Sequence, residues 1–252
     1  MTPPSINRAM ILAAGLGTRF KPWTDHHPKA LAVVNGRSLL QWNIEYLQQY
    51  GIRDVVINVH HFADQVIDAL RANDGWGSRY TISDERHVVL ETGGGLKKAR
   101  FFLEDAPFVL MNVDVLTDMD LGAMIADHFQ HRPLATLAVT DRPTSRYFLF
   151  DGQFELCGWR NVDTGEERIT RPVEARPDVA PLVQWAFSGI HVIDPAMFDH
   201  IGREGKFSII DVYLDLARLH IIRGWDHTLT RFIDVGKPAS ASAAAILFSE
   251  DL

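Results

Sequence analysis

A single cysteine, Cys157, stands in the whole 252-residue chain. It excludes an internal disulfide and a thiolate metal cluster, and it fits a reducing, cytoplasmic compartment. No stretch approaches the roughly 18 consecutive apolar residues of a membrane-spanning helix, so no membrane partner is expected. The opening Met-Thr-Pro-Pro-Ser-Ile-Asn-Arg lacks the charged start and apolar run of a secretory signal. Positive charge is also short: 25 Lys and Arg against 32 Asp and Glu leave a net charge of −7. A nucleic acid as main partner calls for a basic surface, so none is expected. A small phosphate ligand is not excluded, because a few aimed amides and one or two cations suffice for it. No lysine precedes a Ser or Thr, which removes a P-loop. The residue three after Gly17 is Phe20 rather than a small one, which removes the dinucleotide fingerprint.

What is present is a chain 46% hydrophobic, long enough to bury a substantial core as one domain spanning 1–252. Residues 9–13 form an apolar strand running into Gly15-Leu16-Gly17. Residues 38–50 read as a helix, with Leu39, Leu40, Ile44 and Leu47 on one stripe and Gly51 placed to end it. Further strands are expected at 55–59, 80–83, 108–111 and 135–139, with helices at 63–70, after Gly93-Gly94-Gly95, and at 121–131. This alternation predicts an α/β fold, a doubly wound, mostly parallel sheet with helices on both faces. Ligands of such sheets gather at the carboxyl ends of strands, where Gly15 and Asp114 both fall. Residues 141–183 break the pattern with turns and short strand-like pieces, and read as a β-rich insertion too small for a core of its own. Strands at 185–193 and 231–235, a helix at 209–219 and an Ala-rich helix at 239–248 behind Pro238 complete the chain.

A glycine pair after a strand is common and by itself does not establish phosphate binding. The wider run is more specific: Gly15-Leu16-Gly17-Thr18-Arg19-Phe20-Lys21-Pro22-Trp23-Thr24, then Pro28-Lys29. It resembles the signature loop of the sugar-phosphate nucleotidyltransferases, with an aromatic Phe20 where an aliphatic residue is usual. The resemblance implies a Rossmann-like enzyme that joins a nucleoside triphosphate to a sugar 1-phosphate and releases pyrophosphate. Catalysis of that kind rests on positioning and charge stabilisation, for which the fork of Arg19 and the compact charge of Lys29 are suited.

The family pattern further implies nucleotide contacts from Leu12, Ala13, Ala14, Gly15, Gly17, Thr18, Arg19 and Lys29, and from Thr92, Gly93 and Gly94 in Leu90-Glu91-Thr92-Gly93-Gly94-Gly95. It implies sugar-phosphate contacts from Asn112, Glu174 and Gly189. Asp114, ending a strand after Asn112-Val113, and Asp234 in Ile233-Asp234-Val235-Gly236 match the family's ligands for Mg2+. An Asp at a strand end also caps turns, so either residue alone would read that way. The Leu-Glu-Thr-Gly-Gly-Gly loop is similar to that of short bacterial uridylyltransferases acting on N-acetylmuramic acid 1-phosphate. GTP with mannose or heptose 1-phosphate is the alternative, since Glu85 offers guanine an acceptor. Two other classes stay in view. A nucleotide-sensing module on the same fold needs no metal ligands, and a glycosyltransferase would use Asp118-Met119-Asp120 as a metal motif. The protein is expected to act as a monomer or homo-oligomer.

Overall fold

The computed structural model of the chain describes residues 5–171 and 181–249. After β1 (Arg8–Leu12) come three single-turn 3-10 helices, a hairpin of β2 (Val33–Val34) and β3 (Arg37–Ser38), and α1 (Leu39–Gln49). Next follow β4 (Asp54–Val59), α2 (Ala63–Ala72), β5 (Arg79–Asp84), α3 (Glu91–Lys98), α4 (Arg100–Leu103) and β6 (Phe108–Asn112). The middle of the chain holds β7 (Val115–Thr117), α5 (Leu121–His131), β8 (Ala135–Thr140), β9 (Arg146–Phe150), β10 (Leu156–Asn161) and β11 (Glu167–Ile169). The last part is β12 (Val183–Ile193), α6 (Ile209–Leu216), β13 (Ile222–Asp226), β14 (Phe232–Asp234) and α7 (Pro238–Leu247).

β1 sits between β4 and β6 with all three strands parallel, and β5 extends the same side. Successive strand residues face opposite sides of a sheet, and β1 shows the consequence directly. Ala9, Ile11 and Ala13 join a core with Leu40, Ile44 and Leu47 of α1, Val66 of α2 and Met124 of α5. Met10 and Leu12 join a second core with Leu96 of α3, Leu103 of α4 and Tyr213 of α6. The sheet is therefore covered by helices on both faces, as the apolar runs require. Ser38 starts α1 by accepting a hydrogen bond from the Gln41 amide at 3.1 Å, and Gly51, with φ of 78°, lies just past its end.

The branching of the sheet departs from the sequence expectation. β12 lies antiparallel to β6 and also pairs antiparallel with β8 and β9, so one long strand joins the parallel core to a second set of strands. β9, β10 and β11 then continue the sheet outward as an antiparallel meander. Much of the 141–183 stretch is thus built onto the main sheet rather than beside it. β13, which the sequence pattern did not mark, pairs parallel with β8. The α6 helix ends at Leu216, short of the expected 219, and Leu219 is almost fully exposed.

A third, smaller core holds the phosphate loop to the carboxyl-terminal helix. Phe20, Val34, Leu39, Leu116, Val235 and Phe248 are buried together there. The aromatic departure from the family pattern is accounted for: Phe20 is 4% exposed and packs edge-on against Trp23.

Candidate active site

Register places the site. Leu12, the last residue of β1, is aligned with Asn58 of β4 on one side and with Asn112 of β6 on the other. The carboxyl ends of three parallel strands thus open together on a cavity of about 550 Å³. Of the residues expected to bind nucleotide, Leu12, Ala13, Ala14, Gly15, Gly17, Thr18, Arg19, Lys29 and Thr92 line it, as do Asn112 and Asp114. Asn58, Val89, Lys206, Ser208 and Gly236 line it as well and were not foreseen.

Gly17 turns the loop with φ of 62°, and a methyl group there would stand 2.8 Å from the Thr24 side chain. Thr24 also donates to the Gly17 carbonyl at 2.9 Å. Only glycine fits this bend without strain, and the amide-rich concavity that follows suits an anion. Lys29, 9% exposed, reaches across the cavity floor to pair with the Asp114 carboxylate. A lysine so deeply placed needs a charge partner, and so does the aspartate.

Asp114 and Asp234, 120 positions apart in the chain, meet because β14 pairs antiparallel with β7. The Val235 amide donates to the Asp114 carbonyl at 2.8 Å. Although Asp234 is exposed, partial withdrawal of its carboxyl from water, then the Asp114 charge, raises its pKa from the ordinary aspartate value. Lys29, Arg19 and Arg142 pull the other way. Arg19 leans over Gly236, where an added methyl would meet both its guanidinium and the Asp234 carboxylate. Among the described residues no group of three or more His, Cys, Asp or Glu side chains converges on one point. Two adjacent carboxylates nevertheless fit Mg2+, which takes one or two carboxylates and completes its shell with water and phosphate oxygens.

Matching by family model gives nucleotidyl transferase over residues 8–241. The chain belongs to the nucleotidyl transferase family. It is 35% identical over 216 residues to the N-acetylmuramate alpha-1-phosphate uridylyltransferase of Caulobacter vibrioides, covering 83% of this chain and 84% of that one. It is 34% identical over 245 residues to the protein of the same name from Neisseria meningitidis serogroup B, covering 94% and 99%. The crystal structure of HddC from Yersinia pseudotuberculosis complexed with GMP-PN superposes with a TM-score of 0.75 at 20% identity, covering 96% and 100%. That likeness extends the fold over nearly the whole chain.

In this nucleotidyl transferase the glycine run is placed differently from the sequence expectation. Gly93, Gly94 and Gly95 lie inside α3 and are buried. The Gly93 and Gly94 amides donate to the Phe207 carbonyl at 3.0 and 3.2 Å. A methyl on Gly93 would meet the Phe207 ring, and one on Gly94 the Gly205 carbonyl. Protein therefore fills the approach the glycines open, while Val89, Glu91 and Thr92 present this loop to the cavity. Glu85 is 2% exposed, with its carboxylate turned inward onto Asn58 and the Leu90 amide, so burial keeps it from guanine.

Gly189 of β12 has φ of +75°, and the Asn112 amide packs against it. Glu174 lies outside the described residues. The arginines of the insertion are largely paired within the protein, Arg160 with Glu167, Arg168 with Asp211 and Arg171 with Glu155. The Asp118-Met119-Asp120 run is structural: Asp118 binds Arg231, and Asp120 caps α5 at the Ala123 amide. Burial and the Asp151 charge push the Cys157 thiol up to about 11, which leaves it protonated near neutral pH. His60 meets the Glu85 carbonyl and His27 the Gln65 side chain.

Proposed function

We propose that this chain transfers UMP from UTP to N-acetylmuramic acid 1-phosphate, forming the UDP-sugar and pyrophosphate with Mg2+ as cofactor in the cytoplasm. The observation that carries this reading is the cavity at the ends of the parallel strands, lined by the glycine loop, Lys29 and Asp114, with Asp234 brought beside Asp114 by the β7–β14 pairing. A non-catalytic sensor has no use for such a complete set. Two relatives at 34 and 35% identity, both named N-acetylmuramate alpha-1-phosphate uridylyltransferase, support the sugar and the base. The engagement of Glu85 inside the protein favours uracil over guanine, since guanine's N–H donors then lack that carboxylate.

In the reaction an oxygen of the sugar phosphate attacks the α-phosphorus of UTP. The bond from that phosphorus to the oxygen bridging the β-phosphate breaks, and its electron pair leaves with pyrophosphate. The attacking oxygen is already ionised near neutral pH, so no general base is required. The loop amides from Gly15 to Arg19 cradle the triphosphate, with Arg19 on its tail and Lys29 on the α-phosphate. Asn112 and Gly189 receive the sugar phosphate, and the insertion supplies the sugar contacts. Asp114 and Asp234 would hold Mg2+, which when bound draws charge from the phosphate oxygens.

Pyrophosphate release measured for the four nucleoside triphosphates against a panel of sugar 1-phosphates tests this directly. UTP with N-acetylmuramic acid 1-phosphate should give the highest kcat/KM. Reaction with GTP alone, or with none of the pairs, would overturn the proposal.

A further inference from the structure

Asn58 and Glu85 are buried polar side chains, each 2% exposed. Three hydrogen bonds run through them in series. The Ala13 amide donates to Asn58 Oδ1 at 2.7 Å, Asn58 Nδ2 donates to Glu85 Oε1 at 2.8 Å, and the Leu90 amide donates to Glu85 Oε2 at 3.1 Å. A backbone N–H can only donate, so the Asn58 oxygen must face Ala13 and its NH2 must face the carboxylate. Each end of the chain of bonds is a site loop. Ala13 is the first residue beyond β1 and lines the cavity, and Leu90 leads directly into Glu91 and Thr92, which also line it. Gly95 makes the passage, for a methyl there would stand 2.7 Å from Glu85 Oε1 and 2.9 Å from Asn58 Nδ2.

We propose that Asn58 and Glu85 form a positioning strut that fixes the triphosphate loop to the base loop, so that both ends of one nucleotide are held by a single rigid unit. This rests on the nucleotidyl-transfer reading above, but its geometry does not depend on which base or sugar is used. Asn58 lines the cavity but is 2% exposed and bonded to Ala13 and Glu85, so the strut acts on nucleotide affinity through the spacing of the two loops. Preorganised spacing lowers the ordering cost of binding a ligand that spans both. The sugar phosphate approaches from the Asn112 and Gly189 side and should be indifferent to it.

The polarity of the series allows a sharp test. Asn58→Asp sets two carboxylates against each other, and Glu85→Gln sets an NH2 group against an N–H donor. The double variant Asn58→Asp/Glu85→Gln reverses the polarity and restores all three bonds with the charge unchanged. Each single variant should raise KM for UTP about 10- to 100-fold, the range for losing a buried bond to a charged group. The KM for the sugar 1-phosphate should move less than about threefold, and the double variant should return the UTP value to within about threefold of the parent, far inside that range. Unchanged UTP KM in the singles, equal loss for both substrates, or a double variant no better than the worse single would overturn the strut. If the parent protein turns over no nucleotide at all, the functional reading fails instead. Hydrogen exchange at the Ala13 and Leu90 amides then decides the strut, with faster exchange required in both singles and restored protection in the double.

Discussion

At the scale of single residues, the Lys29–Asp114 pair carries the most consequence. Both side chains are nearly buried, 10% and 19% exposed, and each neutralises the other before any substrate arrives. One Asp114 oxygen faces Lys29, and the carboxylate stands beside Asp234 across the β7–β14 pairing. Asp114→Asn keeps the shape and removes the charge. It should lower turnover by roughly 10²-fold or more, as expected when a group stabilising developing charge is lost. Pyrophosphate release on a variant with parent-like circular dichroism checks this, and near-parent turnover would remove Asp114 from the chemistry. The two aspartates were legible in the sequence only through the family pattern, because strand-end aspartates also serve as caps. Asp118 and Asp120, which bear the form of a metal motif, turned out to be an ion-pair partner and a helix cap.

Among the elements, α3 shows how a glycine run can serve packing. The loop from Gly15 to Arg19 could be anticipated through the family pattern, and Gly17 makes the bend that its glycine announces. Gly93-Gly94-Gly95 announced only close approach, and the approaching group proved to be protein. A methyl on Gly94 would lie 2.2 Å from the Gly205 carbonyl oxygen. Gly94→Ala gains helix propensity of about 1 kcal/mol but forces the 203–208 loop away, at an overpacking cost of about 1–3 kcal/mol. A net loss of stability should appear in urea denaturation; an increase would show that the loop yields freely. The missed cavity residues have a related cause. Asn58 sits inside a run that reads as a buried strand, and Lys206 and Ser208 come near Thr92 through long-range bonds, from the Gly93 and Gly94 amides to the Phe207 carbonyl and from the Ile209 amide to the Thr92 hydroxyl. Nothing local in the sequence marks such a long-range contact. β13 and the branching of β12 were hidden similarly, since short strands pair by tertiary context as much as by pattern.

For the molecule as a whole, three histidines are buried in the neutral form. Burial holds His191 at about 3, and His128 and His227 at about 4. His128 meets Thr136, His227 lies between Thr230 and Ser188, and His191 bonds the Tyr213 hydroxyl. In the unfolded chain each titrates near 6.5, so below that pH the unfolded state binds protons that the folded state refuses. Stability from this source is complete above about pH 6.5 and declines as pH falls toward 4, by up to about 1.4 kcal/mol per unit for each residue. Urea unfolding at pH 7 and pH 5 should show the loss, and His191→Gln should reduce its slope. A flat profile would mean that these rings are hydrated.

The central claim concerns convergence, namely that Asp114 and Asp234 together hold a divalent ion beside the glycine-lined cradle. A crystal grown with Mn2+ and UDP-N-acetylmuramic acid tests it through anomalous scattering. One peak at coordination distance from both carboxylates and from a diphosphate oxygen is the predicted result. A fully occupied peak elsewhere, with the two aspartates bonded only to protein, would contradict it.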